Sequence, residues 1–265
     1  MNPTIVRKLS MFAGVLLLLS ANSFAQNGAS GKSFVQSAST ERLYAVTVYS
    51  GKPEMWREAI AFVKDEVVPI RTKGGDKHLE CWTSVFGEMY EMWFIAPLEN
   101  FAALDKPTGY LLKALGSQEA VNAFNDKSRK YSNSVRQFVI RVRPDLSYIK
   151  PDAPMPRLAA IAMVEVMYGK ELDVFDWVKA EMLPPVKKSD RFGEIRASIG
   201  AGAVNGYLVI EPMENFAALD KPSGRTQVLG TNGLRKAMAK MPQGAITRIE
   251  RRTLIFRPDL SILPK

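Results

Sequence analysis

The chain has 265 residues, 46% of them apolar and 24% charged, with a formal charge of +9, one cysteine and one histidine. That apolar content is enough to build packed cores and excludes wholesale disorder. A single cysteine excludes an intramolecular disulfide, and a single histidine excludes His-rich metal sites and leaves any His-dependent mechanism to His78 alone.

Residues 1–25 have the layout of a secretory signal: Arg7 and Lys8, then an apolar run from Met11 to Leu19, then Ser23-Phe24-Ala25 as a small-x-small cleavage site before Gln26. The apolar run is short for a bilayer span, so the expectation is cleavage and export to a bacterial periplasm or the outside, with no transmembrane segment left in the mature chain. Losing Arg7 and Lys8 with the signal lowers the charge from +9 to +7. A dispersed basic surface on an exported protein meets anionic envelope surfaces long before it meets nucleic acid, so an anionic envelope partner is open and a nucleic-acid partner is not expected. Residues 26–42 are small and polar and read as a flexible leader.

From there the pattern is regular. Leu43 to Tyr49 alternates as a strand, Glu54 to Val67 has helical spacing and should stop at Pro69, and Leu79 to Phe86 and Tyr90 to Ile95 form a hairpin. A short helix with Phe101 and Leu104 inward follows, then a helix from Gln118 to Val135 and a strand from Phe138 to Val142. Proline-rich residues 151–157 read as a linker. The same order then returns: Ile161 to Tyr168 as strand, Asp173 to Leu183 as helix ending at Pro184 and Pro185, Ile195 to Ile199 and Tyr207 to Ile210 as hairpin, Leu234 to Met241 as helix, Ile249 to Phe256 as strand.

The recurrence is literal in two places. Glu99-Asn100-Phe101-Ala102-Ala103-Leu104-Asp105-Lys106-Pro107 is spelled again from Glu214 to Pro222, 115 residues later, and Arg143-Pro144-Asp145-Leu146-Ser147 returns as Arg257-Pro258-Asp259-Leu260-Ser261. A chance identity of nine residues in so short a chain is negligible, so the chain is an internal duplication of residues 43–150 and 158–265. Each copy reads βαββαβ, the ferredoxin-like order. A sheet with both helices on one face must bury its other face, so the fold class is α+β: two tandem ferredoxin-like domains packed sheet to sheet as an intramolecular α/β barrel. In element order and duplication the chain resembles the dimeric α/β-barrel superfamily, which includes antibiotic-biosynthesis monooxygenase, EthD and NIPSNAP groups and haem-binding chlorite dismutase relatives. What this resemblance implies is a fold; it does not choose a function.

If the more uniformly apolar face of each strand lies under the helices, Tyr44, Val46, Val48, Tyr90, Met92, Phe94, Phe138, Ile140 and Val142 pack there. Thr47, Tyr49, Glu80, Trp82, Glu91, Trp93 and Arg141 then point into the barrel, with Met163, Glu165, Met167, Arg251 and Thr253 from the second copy. Arg196 is left without a side. A mixture of tryptophan, carboxylate and arginine is too polar for a dry core. Hence the expected function is binding of a small, partly apolar molecule in an inter-sheet cavity lined by Tyr49, Glu80, Trp82, Glu91, Trp93, Met163 and Met167, with no cofactor and no metal.

Glu165 could instead serve as general base of a cofactor-independent oxygenase or isomerase, with Arg251 or Arg141 stabilising an enolate. The structural alternative is an ion pair of Glu165 with either arginine. A third reading is a structural or envelope-interaction protein. Trp82 and Trp93 are equally legible as large core residues. Cys81 reads as a buried, inert thiol, and His78 does not sit on a helix as the haem ligand of the haem-binding relatives does. Across the copies, Thr47 is set against Glu165 and Trp93 against Leu208, which suggests one asymmetric cavity.

Overall fold

The computed structural model describes residue 34 and residues 40–105, 109–202 and 204–264; the expected signal segment lies outside them. The first copy supplies β1 (Leu43–Gly51), α1 (Trp56–Phe62), α2 (Val68–Gly74), β2 (Glu80–Phe86), β3 (Glu91–Leu98), α3 (Gly109–Leu115), α4 (Gln118–Arg129) and β4 (Ser132–Val142). A two-residue strand β5 (Tyr148–Ile149) leads to the second copy: β6 (Leu158–Val166), α5 (Glu171–Trp177), α6 (Leu183–Lys188), β7 (Gly193–Ala201), β8 (Gly206–Met213), α7 (Gly224–Ala239) and β9 (Ile246–Phe256). The strands run β4-β1-β3-β2-β9-β6-β8-β7, and β7 pairs back onto β4. The result is a closed eight-stranded antiparallel barrel with helices outside it. The two copies are thus joined by backbone hydrogen bonds along two seams, β2 with β9 and β4 with β7, and closure leaves none of these eight strands as a free edge.

The barrel interior is packed with apolar side chains. Tyr44, Val46 and Val48 of β1, Phe138, Ile140 and Val142 of β4, Trp82, Trp93 and Ile95, and Ile161, Met163, Ile195, Leu208 and Leu254 of the second copy form one buried apolar cluster. This corrects the expected facing of β1 and β4. The premise was that the barrel is wet and the helix layer dry; since closure makes the interior the drier place, the more apolar parity goes inward. Thr47 and Tyr49 consequently lie on the helix side, where Tyr49 packs with Met92 and Phe94. Tyr90 lies in the β2–β3 turn with φ 61° and packs on Trp56, centroids 5.6 Å apart. Phe34, in the segment read as a leader, is also part of the interior: its ring meets Tyr44 edge-on at 4.8 Å and its N–H donates to Glu80.

The long helices do not stop at their prolines. In each copy one wide π turn, Val63–Val67 and Val178–Met182, interrupts the helix, and the chain then continues as α2 or α6. The Val68 N–H bonds the Val63 carbonyl and the Leu183 N–H bonds the Val178 carbonyl, both five residues back. That reset places Pro69 and Pro184 in the first turn of a fresh α-helical segment, where a missing N–H costs nothing. Two other boundaries move. α4 ends at Arg129, so Val135 belongs to β4, and α7 begins at Gly224, absorbing a kink at Gly230 where φ is 65°. Phe101, expected inward, is exposed, as is its counterpart Phe216, and each leans on the other copy: Phe101 against Gly200, and Phe216 against Phe86 at 6.1 Å.

The second literal repeat, Arg-Pro-Asp-Leu-Ser, is a reciprocal clasp. The Arg143 N–H donates to the Arg196 carbonyl (2.8 Å) and Ser147 Oγ accepts from the Arg196 N–H (2.8 Å). In mirror fashion the Arg257 N–H donates to the Cys81 carbonyl and Ser261 Oγ accepts from the Cys81 N–H, both at 2.9 Å. Leu146 is buried under the helices of the second copy and Leu260 under those of the first. Within each clasp the arginine grips its aspartate through Nε and Nη2 at 2.7–2.9 Å. Hydrogen bonds from Arg143, with help from Lys179, hold the Asp145 carboxyl down at about 2. The folded state thus favours the ionised form, so the contribution of Asp145 is complete above pH ~4, its ordinary range, and is lost as pH falls from there through about 2. The carboxylate is 41% exposed, which limits the contribution to under ~1 kcal/mol. Urea unfolding of Asp145→Asn beside the parent should show this small deficit at pH 6 and none near pH 2; a deficit that persists in acid would assign it to packing instead.

Candidate functional site

The side chains nominated for an inter-sheet cavity do not converge on one. Glu80, Trp82, Glu91, Trp93 and Met163 are on the inner face as expected, but they are packed and internally satisfied. Two Glu-x-Trp units face the barrel interior, and in each the indole N–H donates to the carboxylate two residues back: Trp82 Nε1 to Glu80 Oε2 at 3.2 Å, Trp93 Nε1 to Glu91 Oε2 at 3.0 Å. Glu80 also meets His78 Nε2 at 3.1 Å. Glu91 takes two further donors, Arg136 Nη2 at 3.0 Å and Arg252 Nε at 3.1 Å, and the chain of charge continues through Glu250 to Arg248. A cleft lined by Trp93, Arg136, Ile161, Met163, Glu250 and Arg252 marks this end of the barrel.

Glu165 lies at the far end of that chain, half-buried, with Arg248 Nη1 3.9 Å from its carboxylate. Neither arginine expected beside it is there. Arg141 is on the outer surface bound to Glu41 at 2.6 Å. Arg251 is exposed and pairs across the ladder with Ala162, whose side is that of the helices; Thr253 shares its parity. Arg252 takes the inward place, because the alternating pair Leu254 and Phe256 sets the inner face of β9. Met167 falls beyond β6 and is exposed. With the copies related by 115 residues, Thr47 is matched by Ala162, each opposite the same point of its hairpin, while Glu165 takes the place of Ser50.

Arg196 faces the helices of the second copy. It packs over Tyr207 at 5.4 Å and binds Glu194 at 2.6 Å, and Glu194 also binds Arg225 of α7. Burial lowers both arginines, Arg225 to about 10. The corresponding layer of the first copy holds Arg71 on Asp76 at 2.6 Å, with Tyr110 under the guanidinium at 4.7 Å. Burial pushes the Cys81 thiol up, away from the reactive thiolate.

The larger opening is in that first-copy layer, between the outer face of the sheet and the helices. Its floor is Tyr49, Met92 and Phe94; its roof is Ala59 and Phe62 of α1, Val63 and Val67 of the π turn, and Phe124 of α4. Gly51, Ser128, Tyr131 and Ser132 complete it, and the empty volume is about 450 Å³, part of it open to solvent. The π turn puts Val63 and Val67 into the roof, which is how an interrupted helix becomes part of a site. In the second copy four matched positions carry larger groups, Val174 for Ala59, Trp177 for Phe62, Met182 for Val67 and Tyr207 for Met92, while the smaller Val164 and Val209 stand for Tyr49 and Phe94. The Trp177 indole is further tied to α7 by donation to the Ala237 carbonyl at 2.9 Å. The copies therefore differ where an apolar molecule would sit.

No family model matches the sequence, and no curated protein matches it. Solved structures do share its fold. An anthrone oxidase-like protein aligns over 83% of this chain and 93% of its own, with TM-score 0.58 at 10% identity. A variant of chlorite dismutase from Candidatus Nitrospira defluvii, complexed with cyanide, aligns over 86% and 97% with TM-score 0.51 at 9% identity. The shared fold is an eight-stranded α+β barrel of two ferredoxin-like units, closed here within one chain. Among the described residues no helix is long and apolar enough to cross a membrane.

Proposed function

We propose that this protein binds a small, largely apolar molecule between the helices and the sheet of its first copy, and that it does so after export directed by residues 1–25. The observation that carries the binding reading is the apolar pocket walled by Tyr49, Phe62, Val63, Val67, Phe94 and Phe124, in a protein whose barrel interior is already filled by its own side chains. Concave pockets with mainly apolar walls are where small molecules are taken up. The support for export is the Arg7-Lys8, apolar and Ser-Phe-Ala succession of the first 25 residues. A catalytic reading centred on Glu165 gains nothing from the geometry, because Arg141 and Arg251 do not face it.

Fluorescence titration with N-phenyl-1-naphthylamine, an uncharged apolar probe, tests the binding. One saturable site is expected in the parent. Val63→Phe, which fills the pocket from the π turn, should weaken it about tenfold or more, the scale of one or two lost apolar contacts, with an unchanged circular dichroism spectrum. A parent protein that does not take up the probe, or uptake indifferent to both Val63→Phe and Val67→Phe, would sink the reading.

A further inference from the structure

We infer a second binding site, independent of the apolar pocket: a cleft at the start of α7 that takes a small carboxylate monoanion against Arg225. The cleft is lined by Val186 of α6, by Arg191, Gly193 and Glu194, by Glu211 of β8, and by Ser223, Gly224 and Arg225. Its charges do not balance. Glu194 is shared by Arg196 and Arg225, and Glu211 is taken by Arg191 through Nε and Nη2 at 3.1 and 3.0 Å. Three guanidiniums therefore share two carboxylates, which leaves one positive charge over. Arg191 is fully engaged, since its Nη1 donates to the Ala218 carbonyl at 2.7 Å, so the surplus belongs to Arg196 and Arg225. Arg196 is 4% exposed and outside the lining, whereas Arg225 lines the cleft with 22% of its side chain exposed. Solvent, and any ligand, meets the surplus at Arg225.

A charge withdrawn from water without a full counter-charge is costly, and the first copy shows that the fold does not require this one. Counting 115 positions back, Arg191, Glu194, Arg196, Glu211 and Arg225 are matched by Asp76, Leu79, Cys81, Ala96 and Tyr110. Only Asp76 is ionic, and Arg71 neutralises it at 2.6 Å. One copy builds this layer with a balanced pair, the other with a cation in excess beside a cleft. The approach is positive as well: adjoining the lining residues Val186 and Arg191 in sequence, exposed Lys187 and Lys188 outnumber exposed Asp190. A surplus of one charge selects a monoanion over a dianion such as phosphate. The planar guanidinium fork matches the two oxygens of a carboxylate better than it matches a spherical halide.

The test follows the line width of carbon-13-labelled formate, the smallest carboxylate, in the presence of the protein at neutral pH and constant ionic strength. The parent should broaden the signal saturably. Arg225→Leu should weaken that binding about tenfold or more, the scale of a hydrogen bond to a charged group, while Lys188→Gln leaves it unchanged. Without formate, Arg225→Leu should melt no lower than the parent, because Glu194 keeps Arg196 and only the excess charge is removed; formate should then raise the melting temperature of the parent alone. Arg225→Gln, which keeps most of the stem, repeats the comparison if the leucine variant misfolds. No broadening by the parent, broadening that survives both Arg225 variants, or broadening abolished equally by Lys188→Gln would overturn the site. Arg225 variants that are folded but melt well below the parent would show that the guanidinium is structural and not in excess. Displacement of formate by chloride or phosphate at lower concentration than by unlabelled formate would overturn the assignment to a carboxylate.

Discussion

Glu91→Ala is expected to destabilise the protein by about 3 kcal/mol, at the lower edge of what breaking a buried ion pair costs. Glu91 is 3% exposed and accepts three hydrogen bonds, from Trp93, Arg136 and Arg252. Removing the carboxylate leaves the indole N–H of a fully buried tryptophan without an acceptor and the guanidinium of Arg252, 10% exposed, short of one counter-ion. The loss stays below the upper range because Arg252 retains Glu250 at 3.3 Å. Arg136 is 44% exposed, so Arg136→Ala should cost less than ~1 kcal/mol. Urea denaturation of both variants settles the matter. Equal, small losses would mean that the inner charges are solvated and that the barrel end is wet.

The second large effect belongs to the clasp. Leu260 is fully buried in the helix layer of the first copy although it is encoded in the second, and its tail is stitched on by two 2.8 Å backbone bonds between Leu79 and Ile262. Leu260→Ala should cost about 2–5 kcal/mol, as for other fully buried leucines, and Leu146→Ala a comparable amount through the opposite layer. The layers are also mutually dependent. A polypeptide of residues 43–150 alone lacks Leu260, Ser261 and both seam partners, and should stay unfolded until residues 151–265 are added, when mixing should restore the native circular dichroism spectrum. If the first copy folded alone as a monomer, the clasp would be ornament rather than structure.

The literal repeats were visible at once, yet what they do was not. Nothing in Arg-Pro-Asp-Leu-Ser says that its leucine is buried under the other copy's helices, because reciprocity is a property of the pair. Strand facing failed for a related reason: Tyr44, Val46 and Val48 mark one face of β1 as the more apolar, but which side of a sheet is drier depends on whether the barrel closes. The tryptophans illustrate the other half of the lesson. Trp82 and Trp93 were correctly turned inward, and the carboxylates two residues before them, which suggested a wet cavity, are instead the acceptors those indoles need.

The sequence by itself determined the duplication, the order of elements, the ferredoxin-like class and the need for each sheet to find a partner, because these rest on local periodicity and on the identity of repeated segments. It also determined that any pair of matched sites would be unequal, since the copies differ in side-chain size at equivalent positions. Only the tertiary structure decided where the inequality matters. The pocket needs Ala59, Val63 and Phe124 brought over Tyr49 and Phe94 by a π turn and by two helices, residues as far apart as 75 positions in the chain. Volume left between packed layers is a non-local quantity, set by every side chain around it, and no stretch of sequence carries it alone.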